Sequence, residues 1–163
     1  MGIRSSYSQF KGPFIYDEHN RKFTSYKKLE AISSANIDKA WFDLTMFLTG
    51  EKYIELDSEE RLGALAILGR RIEIDRDLEI RHLSKEDIMN INRYLSDLKI
   101  ERFEDFVKRY RSLPSTVRDS MQVRSDYEEK LKYLHFHFCA LKSFYEKCVK
   151  YKAGEYWIGI FIN

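Results

Sequence analysis

Cysteine, proline and glycine are all scarce in this 163-residue chain, at two, two and seven residues. Cys139 and Cys148 are too few for a disulfide scaffold. Pro13 and Pro114 are the only prolines and no Gly/Ser-rich run occurs, so no linker is marked and the chain reads as one domain over 1–163. Long apolar runs are missing too. The densest, 64–68 and 157–162, fall far short of the roughly 18 to 20 residues that span a bilayer. Met1 to Tyr7 holds no apolar stretch of the kind a secretory signal needs. Gly2 with Ser6 matches the pattern for N-myristoylation, but nothing else in the chain points to a membrane. The expected location is a reducing cytoplasm. Charge of one sign is lacking as well: 28 Lys+Arg against 26 Asp+Glu leave a net charge of +2. Long-range attraction to phosphate is then weak, and nucleic acid is an unfavoured partner.

Large apolar groups are abundant. Eleven Phe, eleven Tyr and two Trp exclude a disordered chain. Met1 to Phe10 reads as a short strand followed by a turn at Gly12-Pro13, and Phe14 to Lys28 is ambiguous. Asn36 is a good helix N-cap, with Asp38 in the first turn. Ile37, Trp41, Leu44 and Leu48 would form that helix's apolar face, and Gly50 its stop. Ser58 to Arg61 opens a second helix whose inner side is Leu62, Leu65, Ala66 and Gly69. From Arg70 to Asp77 charged residues alternate with isoleucine, which predicts an extended segment that Ile80 and Leu83 continue. Ser84 caps a third helix, with Asp87 as the acid of a capping box and Ile88, Ile91, Leu95 and Leu98 on its face. Phe103, Phe106, Val107 and Tyr110 predict a fourth, ended before Pro114. The longest helix carries Tyr127, Leu131, Leu134, Phe138, Leu141, Tyr145 and Cys148 at alternating steps of four and three. A second face holds Tyr133, Phe136, Ala140 and Phe144, so this helix is expected to be packed from both sides. Trp157 to Ile162 favours a strand. The simplest closure is an α+β fold, with the N- and C-terminal strands paired in a small sheet against the long helix.

Four stretches now carry a resemblance. They are Met1-Gly2-Ile3 with Tyr7, then 36–44 closing with Leu48-Thr49-Gly50, then 66–69 with 81–84, and last Phe138 to Tyr145 followed by Gly154 and the terminal strand. In this order they resemble the YfbM-like family, domain of unknown function 1877. Leu78-Glu79-Ile80 stands where that family often has Gly-Pro, and 112–125 looks remodelled. The resemblance implies a compact α+β fold and no activity. Some immunity proteins of bacterial toxin systems come from such small families, which is an association only.

The residues themselves offer few chemical constellations. His135 and His137 are two apart, so on a helix they point about 200° away from each other and share no ion. His19 and His82 belong to other elements, and no metal motif is present, so neither a metal nor a cofactor is expected. Nine helical steps put Cys139 and Cys148 about 13 Å apart, beyond the roughly 7 Å reach of a disulfide. His135 can touch Cys139 at i, i+4, but a mid-helix thiol lacks the helix N-terminus that would activate it. No phosphate loop or nucleophile elbow occurs. Asp38, Trp41 and Asp43 could line a cleft, but the reading favoured is structural: Asp38 balances the helix dipole, Lys39 pairs outward and Trp41 fills the core. Asp38, Lys39, Trp41 and His82 are the pocket candidates.

Charge is uneven along the chain. Glu51, Glu55, Asp57, Glu59 and Glu60 form an acidic region, extended by Glu73, Asp75, Asp77 and Glu79. Lys108, Arg109 and Arg111, with Lys147, Lys150 and Lys152, are basic. Such runs are ordinarily solvated faces. The expectation is a non-enzymatic cytoplasmic module that binds another protein, with no catalytic residue. Its docking patch would be Glu55, Asp57, Glu59, Glu60, Asp75 and Asp77, and its most concrete role the neutralisation of a basic bacterial toxin as an immunity protein. The alternative is a small-molecule-binding or enzymatic protein with a pocket near Trp41 and His82.

Overall fold

The computed structural model describes residues 5–12, 16–17, 22–23, 31–52, 61–71, 80–121, 127–152 and 154–162. Its strands are β1 (Ser5–Lys11), β2 (Tyr16–Asp17), β3 (Lys22–Phe23), β4 (Ala31–Asp38), β5 (Arg70–Arg71), β6 (Ile80–Leu83) and β7 (Tyr156–Ile162). Its helices are α1 (Trp41–Thr49), α2 (Leu62–Leu68), α3 (Lys85–Asp97), α4 (Phe103–Ser112), α5 (Ser115–Ser120) and α6 (Tyr127–Lys150). The α+β expectation holds. The terminal strands do pair, antiparallel, from Ser5 opposite Ile162 to Lys11 opposite Tyr156. They form the middle of a wider sheet than expected, five strands in the order β4-β1-β7-β6-β5, while β2 and β3 make a separate pair.

The centre of the sheet follows from its alternation. Tyr156, Ile158 and Ile160 point to the main core, and Trp157 and Phe161 to the other side, where they meet Phe10 at ring distances of 4.7 and 6.5 Å. Gly159 lies among those rings: an added Cβ would sit 3.1 to 3.2 Å from all three. On the core side α6 packs along the sheet, with Tyr7 and Phe144 6.0 Å apart. The long stripe on α6 is buried from Leu131 to Cys148, as the four-three spacing requires.

Several expectations need correction. The first helix does not begin at Asn36. Ala35 and Ile37 turn inward as strand residues, and the Asn36 side chain accepts the Asp38 backbone N–H at 2.7 Å. That is an Asx turn, which uses the same side-chain chemistry as an N-cap. Asp38 takes a left-handed φ of 45°, the chain reverses, and helix begins at Trp41. On α2, Leu62 is exposed while 63–68 are all buried. On α6, Phe136 is 68% exposed, so the second apolar face is not packed along its whole length. Of the extended segment from Arg70 to Asp77 only Arg70–Arg71 is described, and β6 pairs back on it as a separate strand. Helix α5 follows Pro114, where no element was expected.

Other signals are confirmed. Ser84 and Asp87 form the capping box, and Gly50 closes α1 with φ 73°. Gly69 ends α2 at φ 63°, ψ −177°, a region open essentially to glycine alone.

Helix α2 is short, apolar and enclosed, so its terminal carbonyls have no access to water and need partners. Tyr145 donates its hydroxyl to the Ala66 carbonyl at 2.7 Å, and Tyr7 donates to Ile67 at 2.8 Å. Both phenols are fully buried, and burial raises both pKa values, so they stay protonated donors. Tyr145→Phe keeps the ring and orphans the Ala66 carbonyl. It should cost about 1–3 kcal/mol, lowering the thermal midpoint by roughly 2–4 °C for each kcal/mol. An unchanged midpoint would remove this bond from the account.

Candidate functional site

The corner where β4 turns into α1 against α6 gathers most of the polar chemistry. Tyr133 donates its hydroxyl to the Asp38 carboxylate at 3.3 Å. Burial, and then the Asp38 charge, raise the Tyr133 pKa. Asp43, on the first turn of α1, is buried and paired with Lys130 at 2.9 Å. The same ammonium stands 5.5 Å above the Tyr133 ring. His137 is buried between Tyr133 and Phe136, at ring distances of 4.5 and 5.2 Å, with the Asn36 backbone nearby. Burial lowers its pKa, so it is a neutral imidazole at pH 7. Trp41 is half-buried, edge-on to Phe42 at 5.7 Å, and packs against the core. The corner is thus a tightly tied joint, and it is Asp43, rather than Asp38, that stands at the helix N-terminus.

His82 is elsewhere. It lies on β6, opposite Arg70 on one side and Gly159 on the other. Strands β1 and β7 separate β4 from β6, about 14 Å of sheet at the usual strand spacing. Asp38 and Trp41 therefore do not share a pocket with His82. The acidic residues Glu55, Asp57, Glu59, Glu60, Asp75 and Asp77 lie outside the described residues. Of that region Glu51 is described, and it pairs with Arg61.

The basic set divides in two. Lys147, Lys150 and Lys152 belong to the last turn of α6 and just beyond it. Lys108 and Arg109 lie on α4 beside the α3–α4 corner. Arg109 is a structural cation: it donates to the Phe47 and Leu48 carbonyls at 3.3 and 2.7 Å and stands 5.3 Å from the Phe47 ring. Its partners are the last carbonyls of α1, where a positive charge offsets the helix dipole. Next to it is a groove of about 310 Å³ lined by Leu98, Lys99, Asp105, Lys108, Arg109 and Ser112. Lys108 and Arg109 stand in a basic run of the sequence, but the run itself marks no groove. The three-four spacing of Asp105, Lys108, Arg109 and Ser112 on one helix face was the available signal.

Cys139 and His135 do meet. The sulfur lies 3.3 Å from Nε2 on the exposed side of α6. The imidazole rests against Phe103 and Phe106, 5.7 and 5.4 Å between rings. Burial raises the Cys139 pKa and lowers that of His135. The pair is a neutral thiol beside a neutral imidazole, without the activated thiolate a nucleophile needs. Cys148 is buried on the opposite side of the helix near Ser33, its thiol pushed up to about 12 by burial.

A family model described as a domain of unknown function, DUF1877, matches residues 6–154. The chain belongs to the DUF1877 family. It is also similar to the crystal structure of YfbM from Escherichia coli, a protein of unknown function. The two share 13% identity with a TM-score of 0.62 over 97% of this chain and 99% of that one, which shows a common fold. No curated protein matches the sequence. Among the described residues of this DUF1877 domain, no helix is long and apolar enough to cross a membrane.

One charged contact near His82 was not foreseen. Arg70 forks onto Asp87 with bonds of 3.0 and 2.7 Å, and the same carboxylate closes the Ser84 capping box. Burial works to raise the Asp87 pKa, but Arg70 and Ser84 outweigh it and hold the carboxyl below its ordinary value. A depressed carboxylate stabilises the DUF1877 fold above the unfolded pKa, and that contribution is lost as pH falls through the folded value. Asp87→Asn should therefore lower the denaturation midpoint at pH 7. The gap from the parent should close as pH drops below about 4. A gap that stays constant down to pH 2 would separate Asp87 from the acid sensitivity.

Proposed function

We propose that this domain works by binding another protein, and that the α6 face beside β4 carries the contact. The supporting observation is Phe136. It is 68% exposed, the most exposed large apolar side chain among the described residues, on α6 beside the buried His137 and the end of β4. β4 is the terminal strand of the sheet. A terminal strand offers unpaired backbone groups, and an exposed aromatic beside it is the kind of anchor that dominates protein interfaces. The acidic residues of 51–79 favour a basic partner. A nuclease-like toxin has such a surface, and neutralising one is the most specific form of this reading.

The test is to purify the tagged chain from its native host at moderate salt, identify the protein retained, and measure its affinity for variants. One stoichiometric partner is expected. Phe136→Asp should cost about 2 kcal/mol of binding, and joint charge reversal at Asp57, Glu59 and Glu60 should slow association. A partnerless chain, or a partner indifferent to both variants, would overturn the proposal.

The α4 groove favours a second reading, a small anionic ligand. Lys99, Lys108 and Arg109 line it against one carboxylate, Asp105, and its volume matches the small end of ligand sites. Inorganic phosphate or a phosphorylated metabolite at a hundredfold excess over Kd should stabilise the fold by about 2.7 kcal/mol. Lys99→Ala with Lys108→Ala should abolish that gain. No thermal shift with any such anion would end this reading.

A further inference from the structure

Helix α6 carries a second stripe. Glu129, Tyr133, Phe136, Ala140, Ser143 and Lys147 follow one another at steps of four and three, over about five turns. At about 100° per residue they lie roughly opposite the stripe that is buried from Leu131 to Cys148. Glu129, Phe136 and Lys147 are exposed, and Tyr133, Ala140 and Ser143 are half-buried. The stripe is graded along its length: an acid first, then two rings, then two small residues, then a base. That order is self-complementary. Laid antiparallel on a second copy, about a two-fold axis level with Phe138, it sets Phe136 on Ala140, Tyr133 on Ser143 and Glu129 against Lys147, each pair twice. Every ring meets a small residue and every charge its opposite. A parallel alignment would instead stack Glu129 on Glu129 and Lys147 on Lys147, so the charges select one orientation. One flank repeats the logic. Lys132, which also holds Glu128 on its own helix, falls opposite the other copy's Glu146, and the two copies of Cys139 face each other across the axis.

We propose that this chain forms a two-fold homodimer through the outer face of α6. The inference rests on the reading that Phe136 faces another chain, and it names a second copy as the occupant. Phe136 is the anchor: it is 68% exposed, and covering its ring removes the largest apolar side chain from water. Tyr133 is already held in place by its bond to Asp38 and by the His137 ring, so little freedom is lost when it is covered. The antiparallel arrangement also opposes the two helix dipoles, and it brings the acidic first turn of each α6 near the basic last turn of the other. A single helix pair is a small interface, so association in the micromolar range is expected. An outside protein that uses Phe136 has to displace the second copy, which ties the free surface to the chain's own concentration.

The experiment is sedimentation velocity of the purified, reduced full-length chain at low salt, from micromolar to near-millimolar concentration. A monomer should pass into a dimer across that range. Phe136→Asp should weaken the dimer by at least about tenfold, the equivalent of about 1.4 kcal/mol. Glu129→Lys and Lys147→Glu should each weaken it several-fold, and the double variant should recover it, because each end then meets an opposite charge again. A short bifunctional maleimide should join two copies through Cys139, since Cys148 is buried. The joined product should vanish in Cys139→Ser and in Phe136→Asp. Circular dichroism checks that every variant is folded. A chain that stays monomeric throughout would overturn the proposal, as would a dimer indifferent to Phe136→Asp or one that the double charge swap fails to restore. The outside partner is judged separately: a monomer that still retains another protein through Phe136 ends only the homodimer, and a dimer that retains none ends only the outside partner.

Discussion

Two short helices, α1 and α2, end inside the protein, and the fold depends on what meets their last carbonyl groups. A buried carbonyl without a donor costs more than most single contacts contribute. Tyr145 and Tyr7 supply the donors for α2, from α6 and from β1. Arg109 supplies two for α1, and Tyr94 on α3 donates to Leu48 at 2.6 Å. The two helices also touch closely, since an added Cβ at Gly63 would stand 3.0 Å from Leu48. Strand β1 and helices α3, α4 and α6 are thus held to one central pair by hydrogen bonds of fixed direction. Hydrophobic burial alone would let these elements slide; the donors set where they stop.

Periodicity made some of this legible. A stripe at alternating four- and three-residue steps for over twenty residues is hard to mistake, and α6 is buried along it from Leu131 to Cys148, with Tyr127 exposed at its start. Ser84 and Asp87 announced α3 because a capping box uses two residues at a fixed offset. The pairing of β1 with β7 followed from two apolar segments at the chain's ends and one long helix to cover them. The failures also have physical causes. Asn36 binds a backbone N–H in an Asx turn much as it would at an N-cap, so the local pattern fits both. β4 was hidden because Ser33, Ser34 and Asn36 are poor strand formers, carried there by pairing with β1. Arg109 looked like a surface charge because nothing local says that its partners lie over sixty residues away.

The candidate residues fared unevenly for the same reason. Asp38 and Trp41 lie in one corner because they are neighbours in sequence, and His82 is separated from them by two strands. Several charges serve the fold: Arg70 on Asp87, Lys130 on Asp43, Arg109 on α1. What remains uncommitted is correspondingly informative. Lys99, Lys108 and Phe136 are among the described groups that stand exposed without such a structural role.

The donors to α2 also constrain the order in which the chain can fold. The Ala66 carbonyl meets a residue 79 positions away and Ile67 one 60 positions away. Strand β7 enters the sheet between β1 and β6, although it follows every other element in the chain. During synthesis the apolar residues of α2 leave the ribosome long before Tyr145 can reach them. The sheet has a gap at its centre until β7 arrives. Contacts of such long separation make for slow folding, and the incomplete chain exposes a greasy helix and two unsatisfied strand edges in the interval. Loss of β7 would therefore be felt at the middle of the sheet rather than at its edge.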